Sequence, residues 1–178
     1  HTRYISVTGV QTCALPILRR PETLIATWFG SGLAPIASGT WGSLAALPFG
    51  WLALVYGGIW LLVGLTVVVT VAGIWASSRL VAGADIRDPG FIVIDEVAGM
   101  LVTLAFAPLA WWGVALAFLL FRAADIVKPF PANWCDAHLH GGLGVMLDDL
   151  VAGLYAGLAT WLIAEFVLRD LVLAVFGG

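Results

Sequence analysis

Long apolar stretches separated by short polar or glycine-rich connections occupy most of the chain. A helix needs roughly 20 residues to cross the hydrocarbon core of a bilayer, so the second and fifth stretches are long enough alone. The first, third and fourth are shorter, and they would cross only with help from flanking turns, local thinning of the bilayer or burial against neighbouring helices. The five stretches are Trp41–Tyr56, Ile59–Leu80, Phe91–Ala107, Ala110–Phe121 and Leu150–Phe176.

The composition is that of a membrane protein. Of the 178 residues, 61% are hydrophobic and 11% are charged, and the mean hydropathy is +1.02. A soluble domain usually carries about a quarter charged residues. The net charge is only −3 and no basic run occurs, which excludes the usual signature of a nucleic-acid-binding surface. We therefore predict an all-α, polytopic helical membrane protein with about five membrane-embedded helices and no nucleic-acid partner.

The connections differ in charge, and this difference predicts the topology. Tight turns marked by glycine or proline at 56–59 and 107–110 carry no charge, whereas the connections at 79–90 and 122–149 hold most of the charged residues. With five spans, the start of the chain and both charged connections fall on one side, which the positive-inside rule makes cytoplasmic. That side carries Arg19, Arg20, Arg79, Arg87, Arg122 and Lys128, against Arg169 on the other.

The first residues form a separate case. The segment "VTGVQTCALPI", Val7–Ile17, resembles the in-frame translation of a common sequencing-library adapter. A signal peptide is the alternative, but the segment lacks a basic n-region followed by a continuous apolar h-region. We therefore predict that residues 1–17 are a non-native, adapter-derived segment and that residues 18–178 form a single membrane domain. Cys135 would then be the lone cysteine, which excludes an intrachain disulfide.

Acidic residues gather at the predicted cytoplasmic ends of three helices. An ionisable group costs roughly 2.5–3.5 kcal/mol at the centre of a membrane span and less near its end, so such groups usually face a partner or a water-filled cavity. Converging carboxylates repel each other unless a cation lies between them, and a ligand set of oxygen atoms suits Mg²⁺ or Mn²⁺ rather than zinc. The candidate metal ligands are Asp95 and Glu96 near the start of the third helix, Asp125 at the end of the fourth, and Asp148 and Asp149 opening the fifth.

The same end of the predicted bundle carries groups that suit a phosphate. In "SGTWGS", Ser38–Ser43, glycines allow the backbone to bend before the first helix, hydroxyl groups offer hydrogen bonds, and the helix N-terminus presents unpaired N–H groups. Arginine can fork onto phosphate oxygens, and lysine adds a point charge. A divalent metal beside a phosphate clamp at a membrane surface indicates phosphoryl chemistry on a lipid headgroup. The candidate phosphate-binding residues are Gly39, Thr40, Ser43, Arg122 and Lys128.

Four motifs in order along the chain, "GSGLAPIASGTWGSLAALP", "DPGFIVIDEVAGM", "FLLFRAADIVKPFP" and "GGLGVMLDDLVAGLYA", together resemble the phosphatidylglycerophosphatase A family. The resemblance runs from about Thr23 to about Ala159 and implies a Mg²⁺-dependent phosphatase of the bacterial inner membrane. Such enzymes hydrolyse phosphatidylglycerophosphate to phosphatidylglycerol and inorganic phosphate. Two positions depart from the family pattern: Ser38 stands where proline is usual, and Ala124 where a bulky apolar residue is usual. Neither departure removes a charged group, so both affect local shape rather than chemistry.

The mechanism predicted from these residues is hydrolysis of a phosphomonoester lipid. The metal would polarise phosphoryl oxygens while a carboxylate takes the proton of an attacking water. The sequence leaves open which carboxylate is the base and which bind metal, and a covalent aspartyl-phosphate route is open as well. The candidate catalytic residues are Asp95, Glu96, Asp125 and Asp149.

Several of these residues also have a purely structural interpretation. Asp95 and Glu96 could form a buried pair that answers a nearby arginine, either Arg79 or Arg122. Carboxylates in the first turn of a helix complement its dipole, and "SGTWGS" could be a plain turn with a helix cap. Outside the predicted site we expect solvated histidines at His138 and His140, and a structural i, i+4 pair between Glu165 and Arg169.

Two other classes of function use the same acids. A small cation or proton transporter would use them as its path across the membrane. Against a transporter, the acids share one depth instead of threading the bilayer, and the phosphate-binding groups would have no role. A non-catalytic assembly subunit would give no reason for so many acids together.

Overall fold

The computed structural model describes residues 20–81, 90–128, 130–132, 134 and 141–176. All regular structure in these ranges is helical, which confirms the predicted all-α class. The adapter-like residues 1–17, together with Cys135, His138, His140 and the side chain of Arg169, lie outside what the structure describes. The principal helices are α1 (Pro21–Ala26), α2 (Ser38–Val81), α3 (Ile94–Leu104), α4 (Trp111–Val127) and α5 (Gly142–Phe176), and a short 3₁₀ helix at Ser31–Leu33 lies between α1 and α2.

Helix α2 is a helical hairpin rather than a straight rod. Gly58 interrupts it with φ 63° and ψ −161°, a backbone conformation that a residue with a side chain resists. Gly42, before this break, lies against Val93, and Gly73, after the break, lies near Ile94, so both halves reach the same end of α3. Each half has about 20 residues, the length that crosses the hydrocarbon core of a bilayer. The break falls at the glycine-marked turn that the sequence predicts between its first two apolar stretches.

The outer surface of the described bundle is apolar. Helix α2 and the Gly142–Val167 part of α5 are long and apolar enough to cross a membrane. Large apolar side chains on α2 face outward, for example Trp60 (83% exposed) and Val68 (65% exposed). Soluble monomers rarely expose continuous apolar surface of this kind, so these helices fit a membrane protein. The number of membrane crossings stays a prediction.

The observed helices α4 and α5 are longer than the apolar stretches that predicted them. Helix α4 continues past Phe121, and α5 begins at Gly142 rather than at Leu150. The added turns carry charged residues that face the interior, and a hydropathy pattern stops where the first charges appear. The prediction that Asp148 and Asp149 open the last helix is therefore wrong, because they lie about two turns inside α5.

Glycines allow α3 and α5 to pack backbone against backbone. A Cβ added to Gly99 would come within 2.6 Å of the Asp149 carbonyl oxygen, and one added to Gly153 would collide with the Gly99 carbonyl. The Thr103 hydroxyl lies between the two helices, 2.9 Å from the Gly99 carbonyl oxygen and 3.1 Å from that of Gly153. Small residues and a shared hydroxyl are typical of helix pairs in membranes. This contact sets where Asp149 lies relative to the start of α3.

We expect Gly99→Ala to destabilise the protein and lower its activity together. The new methyl group would meet the Asp149 backbone, which can yield only if α5 moves away from α3, and such overpacking costs about 1–3 kcal/mol of unfolding free energy. Gly64→Ala is the matched control, because a Cβ there would meet nothing within 4 Å. Melting temperatures in detergent would test this, and equal values for the two variants would contradict the close contact.

Candidate active site

The candidate site lies where the first turns of α2, α3 and α5 meet the last turns of α4. Gly39, at the start of α2, has no room for a Cβ, because the carboxylate of Glu96 and the guanidinium of Arg122 occupy that space. The Asp149 carboxylate on α5 interacts electrostatically with those of Asp95 and Asp125. The structure thus brings the acids that the sequence offered as candidates to one end of the described bundle.

Three carboxylates form the centre of the site. One oxygen from each of Asp95, Glu96 and Asp149 lies within 4.8 Å of the others. Asp95 is 8% exposed and Asp149 is 3% exposed, so the group is shielded from solvent. The backbone N–H of Glu96 donates to Asp95 Oδ1 at 3.0 Å, which orients one of the carboxylates. Arg79, one arginine that the sequence offered as a structural partner, instead lies over the Trp75 ring at 5.4 Å from its centroid.

Arg122 borders this group from α4. Its Nη1 atom lies 2.7 Å from Asp125 Oδ2, an i, i+3 pair that the helix itself positions. The same Nη1 atom lies 3.4 Å from the Ser43 hydroxyl oxygen, to which it donates. Among the described residues, neither the buried Arg122 Nε nor the buried Glu96 Oε2 has a hydrogen-bond partner. A buried donor and a buried acceptor without partners are costly, so this part of the site is suited to an added ligand.

Lys128 supplies the second positive charge, at the edge of the site. It is the residue that ends α4, with a left-handed backbone conformation of φ 46° and ψ 65°. Its ammonium nitrogen lies 2.6 Å from Asp148 Oδ2. The Lys128 side chain is 29% exposed, against 17% for Arg122, so the lysine lies nearer the surface. Lys128 and Asp148 are 20 residues apart in the chain, so no local sequence pattern predicts that they pair.

The hydroxyl-bearing segment Ser38–Ser43 is helical, which corrects the expectation that it bends before the first helix. The Ser43 hydroxyl donates to the Gly39 carbonyl oxygen at 2.8 Å, an interaction that fixes this side chain towards the site. The N–H of Thr40 is already bonded to a backbone carbonyl at 2.9 Å, so Thr40 can offer a ligand its hydroxyl but not its N–H. The Ser38–Ser43 part of the predicted phosphate-binding surface is therefore a helical turn and not a loop.

Two connections that support the site are not foreseen from the sequence. The Ser38 hydroxyl donates to the Gly90 carbonyl oxygen at 2.6 Å, and the Val93 N–H donates to the Ala26 carbonyl oxygen at 2.9 Å. They tie the segment before α3 to α2 and α1. The contact of Ser38 could have been suspected, because a serine at a position where proline is usual adds a hydroxyl group that can donate a hydrogen bond. The Val93 contact is made by backbone atoms and has no such signal.

Three features of the described structure indicate the kind of ligand that the site suits. The chain is helical, has apolar helices of membrane length, and holds a buried acidic group beside an arginine. An arginine with a free buried donor suits a phosphate, and the apolar surface suits a lipid. These features suit a membrane-type lipid phosphatase, a phosphoric monoester hydrolase.

Comparison with known proteins specifies the family. The family model described as phosphatidylglycerophosphatase A matches residues 24–164. The Escherichia coli phosphatidylglycerophosphatase A is 42% identical over 138 residues, covering 76% of this chain and 79% of that protein. The Haemophilus influenzae phosphatidylglycerophosphatase A is 38% identical over 152 residues, covering 85% of this chain and 93% of that protein. The chain belongs to the phosphatidylglycerophosphatase A family, as its four sequence motifs predicted.

A relative with a different name extends this comparison. A putative phosphatidylinositol-3-phosphatase of Bacteroides thetaiotaomicron is 38% identical over 161 residues, covering 82% of this chain and 99% of that protein. No solved structure matches the chain.

Proposed function

We propose that the protein is a Mg²⁺-dependent phosphatase that hydrolyses phosphatidylglycerophosphate to phosphatidylglycerol and inorganic phosphate. It would act in the bacterial inner membrane, as a multi-pass protein whose active site faces the cytoplasm. The observation that carries the proposal is the buried group of Asp95, Glu96 and Asp149 beside Arg122, in a chain of the phosphatidylglycerophosphatase A family. That arrangement brings carboxylates that can take up a proton next to the guanidinium of Arg122, which can bind the phosphate.

Arg122 and the hydroxyl groups of α2 would hold and orient the phosphomonoester. Arg122 has a buried Nε donor with no partner among the described residues, and a phosphate oxygen would satisfy it through a charge-assisted hydrogen bond. Ser43 and Thr40 lie on the same turn of α2 as Gly39, whose missing side chain leaves room for the Glu96 carboxylate. Attack on phosphorus by water requires a base, which one carboxylate of the central group would provide.

The central carboxylates also fit a divalent cation. Asp95, Glu96 and Asp149 offer oxygen atoms only, the donor set that Mg²⁺ prefers. Glu96 Oε2 is buried without a hydrogen-bond partner among the described residues, and a cation would compensate its charge. When bound, Mg²⁺ neutralises charge on the transferring phosphoryl group.

Asp125 and Asp148, the other two predicted metal ligands, each pair with a basic side chain. Asp125 pairs with Arg122, and Asp148 pairs with Lys128. We propose that these two carboxylates hold the basic side chains in place, while the central three would hold the cation. The Asp125 carboxylate also interacts electrostatically with that of Asp149, so it can influence the central group directly.

The substrate follows from the family and from the names of the relatives. Two of them are named for phosphatidylglycerophosphate, and the third for phosphatidylinositol 3-phosphate. Both lipids carry a phosphomonoester on a headgroup that a phosphodiester joins to diacylglycerol. We propose phosphatidylglycerophosphate as the substrate because the family model and two relatives agree on it. The transporter alternative has no support from these relatives.

The direct test is phosphate release by the purified, detergent-solubilised protein from phosphatidylglycerophosphate and, in parallel, from phosphatidylinositol 3-phosphate. Release from the first lipid, and little from the second, is the expected result. Preference for the inositol lipid would replace the proposed substrate. Release from neither, together with ion flux after reconstitution into liposomes, would favour the transporter.

The cytoplasmic orientation is tested by labelling a single cysteine. Cys135, which lies outside the described residues, belongs to the charged connection at 122–149, and the one-sided distribution of lysine and arginine supports a cytoplasmic position for that connection. In a Cys13→Ser variant, a membrane-impermeant thiol reagent should label Cys135 in inside-out vesicles and not in intact cells. A detergent-permeabilised sample shows that the thiol can react at all. Labelling of intact cells would reverse the proposed orientation.

A further inference from the structure

The two basic side chains of the site differ in depth, and this difference points to two phosphate positions. Arg122 lies inside, against Asp125 and near Glu96, whereas Lys128 lies at the edge on Asp148. Arg122 lies in the last turns of α4 and Lys128 is the residue that ends it, so their separation of six positions corresponds to about 9 Å along the helix axis. Two long side chains separated by this rise can contact phosphates joined by a three-carbon glycerol bridge.

Among the described residues, exposed apolar side chains lie close to Lys128 in the chain. Ile126 and Val127 are each 74% exposed, and Phe130 is 72% exposed. The Tyr155 hydroxyl donates to the Phe130 carbonyl oxygen at 3.0 Å, which holds this apolar edge against α5. The Lys128 ammonium therefore lies where exposed apolar side chains meet the acidic interior. Apolar groups beside a basic one suit the region of a phospholipid in which acyl chains give way to charge.

The two proposed phosphate positions also differ in the charge of the group that each one suits. A phosphodiester carries one negative charge, and a phosphomonoester carries up to two near neutral pH. The Lys128 ammonium is partly neutralised by Asp148 at 2.6 Å, which suits the singly charged group. Arg122 has a buried Nε donor with no partner in the described part of the chain and lies beside the carboxylates proposed to hold a cation, which suits the doubly charged group.

We infer that Lys128, held by Asp148, binds the phosphodiester of the lipid while Arg122 holds the phosphomonoester that is cleaved. This inference rests on the proposed function and specifies its substrate class: a lipid with a diester next to the diacylglycerol and a monoester at the far end of the headgroup. Diacylglycerol stays among the exposed apolar side chains, so the diester attached to it reaches the edge and the monoester reaches the interior. Lys128 is thereby a binding residue that selects the substrate.

The test compares Lys128→Gln, Lys128→Arg and the unaltered protein, using two inhibitors that each carry one half of the substrate's charge. Short-chain phosphatidylglycerol has the diester alone, and inorganic phosphate stands for the monoester. In Lys128→Gln the KM for phosphatidylglycerophosphate and the inhibition constant for phosphatidylglycerol should each rise about tenfold, the size expected for one charge-assisted hydrogen bond. The inhibition constant for phosphate should rise much less, and Lys128→Arg should restore most of the loss.

Three results would overturn the inference. The first is an equal or larger rise in the inhibition constant for phosphate, which would place the monoester at Lys128. The second is a lower kcat with unchanged KM and inhibition constants, which would mean that the lysine only positions Asp148. The third is no recovery in Lys128→Arg. If Lys128→Gln turns over too slowly for inhibition constants to be measured, the rise in melting temperature caused by each probe is compared instead. An equal reduction of this rise for both probes counts against the inference. Failure of the unaltered protein to hydrolyse phosphatidylglycerophosphate would instead refute the proposed function, so the two failures are distinguishable.

Discussion

Asp95→Asn and Glu96→Gln should each lower the rate of phosphate release by about a hundredfold or more without destabilising the fold. Each change keeps nearly the same shape and removes one charge from a group whose oxygens lie within 4.8 Å of one another. The hydrogen bond from the Glu96 N–H to Asp95 Oδ1 can persist in Asp95→Asn, because an amide oxygen also accepts. Removing a buried like charge relieves repulsion, so the metal-free variants should melt no lower than the unaltered protein and some should melt higher. The loss is therefore expected to be one of catalysis.

Glu165→Gln provides the control for both variants. Glu165 is exposed and lies 16 residues beyond Asp149 on α5, about 24 Å along the helix axis. Its replacement should leave turnover nearly unchanged. Melting temperatures of the metal-free proteins and phosphate release would be measured for all three variants. If Asp95→Asn and Glu96→Gln melt markedly lower yet stay active while folded, the pair is a structural ion bridge and the site assignment fails.

Chelation should abolish activity, and Mg²⁺ should restore it. Five carboxylates meet two basic side chains in the described part of the site, and three of these carboxylates form the central group. Without a cation, the like charges of that group would repel one another and would repel the negatively charged phosphate proposed to bind beside them. Addition of Mg²⁺ to the chelated protein should also raise its melting temperature, because the proposed cation site is assembled only in the folded chain.

The melting-temperature readout has its own matched controls. Glu96→Gln and Asp149→Asn should show a smaller rise with Mg²⁺ than the unaltered protein, whereas Glu165→Gln should show the same rise. Ca²⁺ would report whether the site tolerates a larger ion that accepts more ligands. Full activity after exhaustive chelation, or an equal thermal shift in all variants, would rule out the metal proposal.

The helices themselves follow from local properties of the chain. Uninterrupted apolar residues predict buried or lipid-facing helices, and Gly58 breaks α2 where the glycine-marked turn was expected. The ends of α4 and α5 were predicted less well, because Arg122 and Asp149 interrupt the hydropathy pattern without interrupting the helix. A charged side chain that faces a polar interior destabilises the helix little. Hydropathy averaged along the sequence does not report which way such a side chain faces.

The residues that meet in the candidate site could also be singled out from the sequence. Placing two adjacent carboxylates in apolar surroundings costs free energy, and this cost already indicated that they face a partner or a ligand. The pair of Arg122 with Asp125 could be foreseen too, since i, i+3 neighbours on one helix lie side by side. These are arguments about residue type and spacing, and they hold for any packing of the helices.

Only the tertiary structure divided the five candidate carboxylates into separate groups. Asp95 and Glu96 meet Asp149 because Gly99 lets α3 and α5 touch, and the depth of that contact depends on the whole packing of the bundle. The pair of Lys128 with Asp148 joins the end of one helix to the interior of the next. The sequence determined which groups were available at this end of the protein. Their distances were set by how the helices pack, because contacts between distant segments have no local signature in the chain.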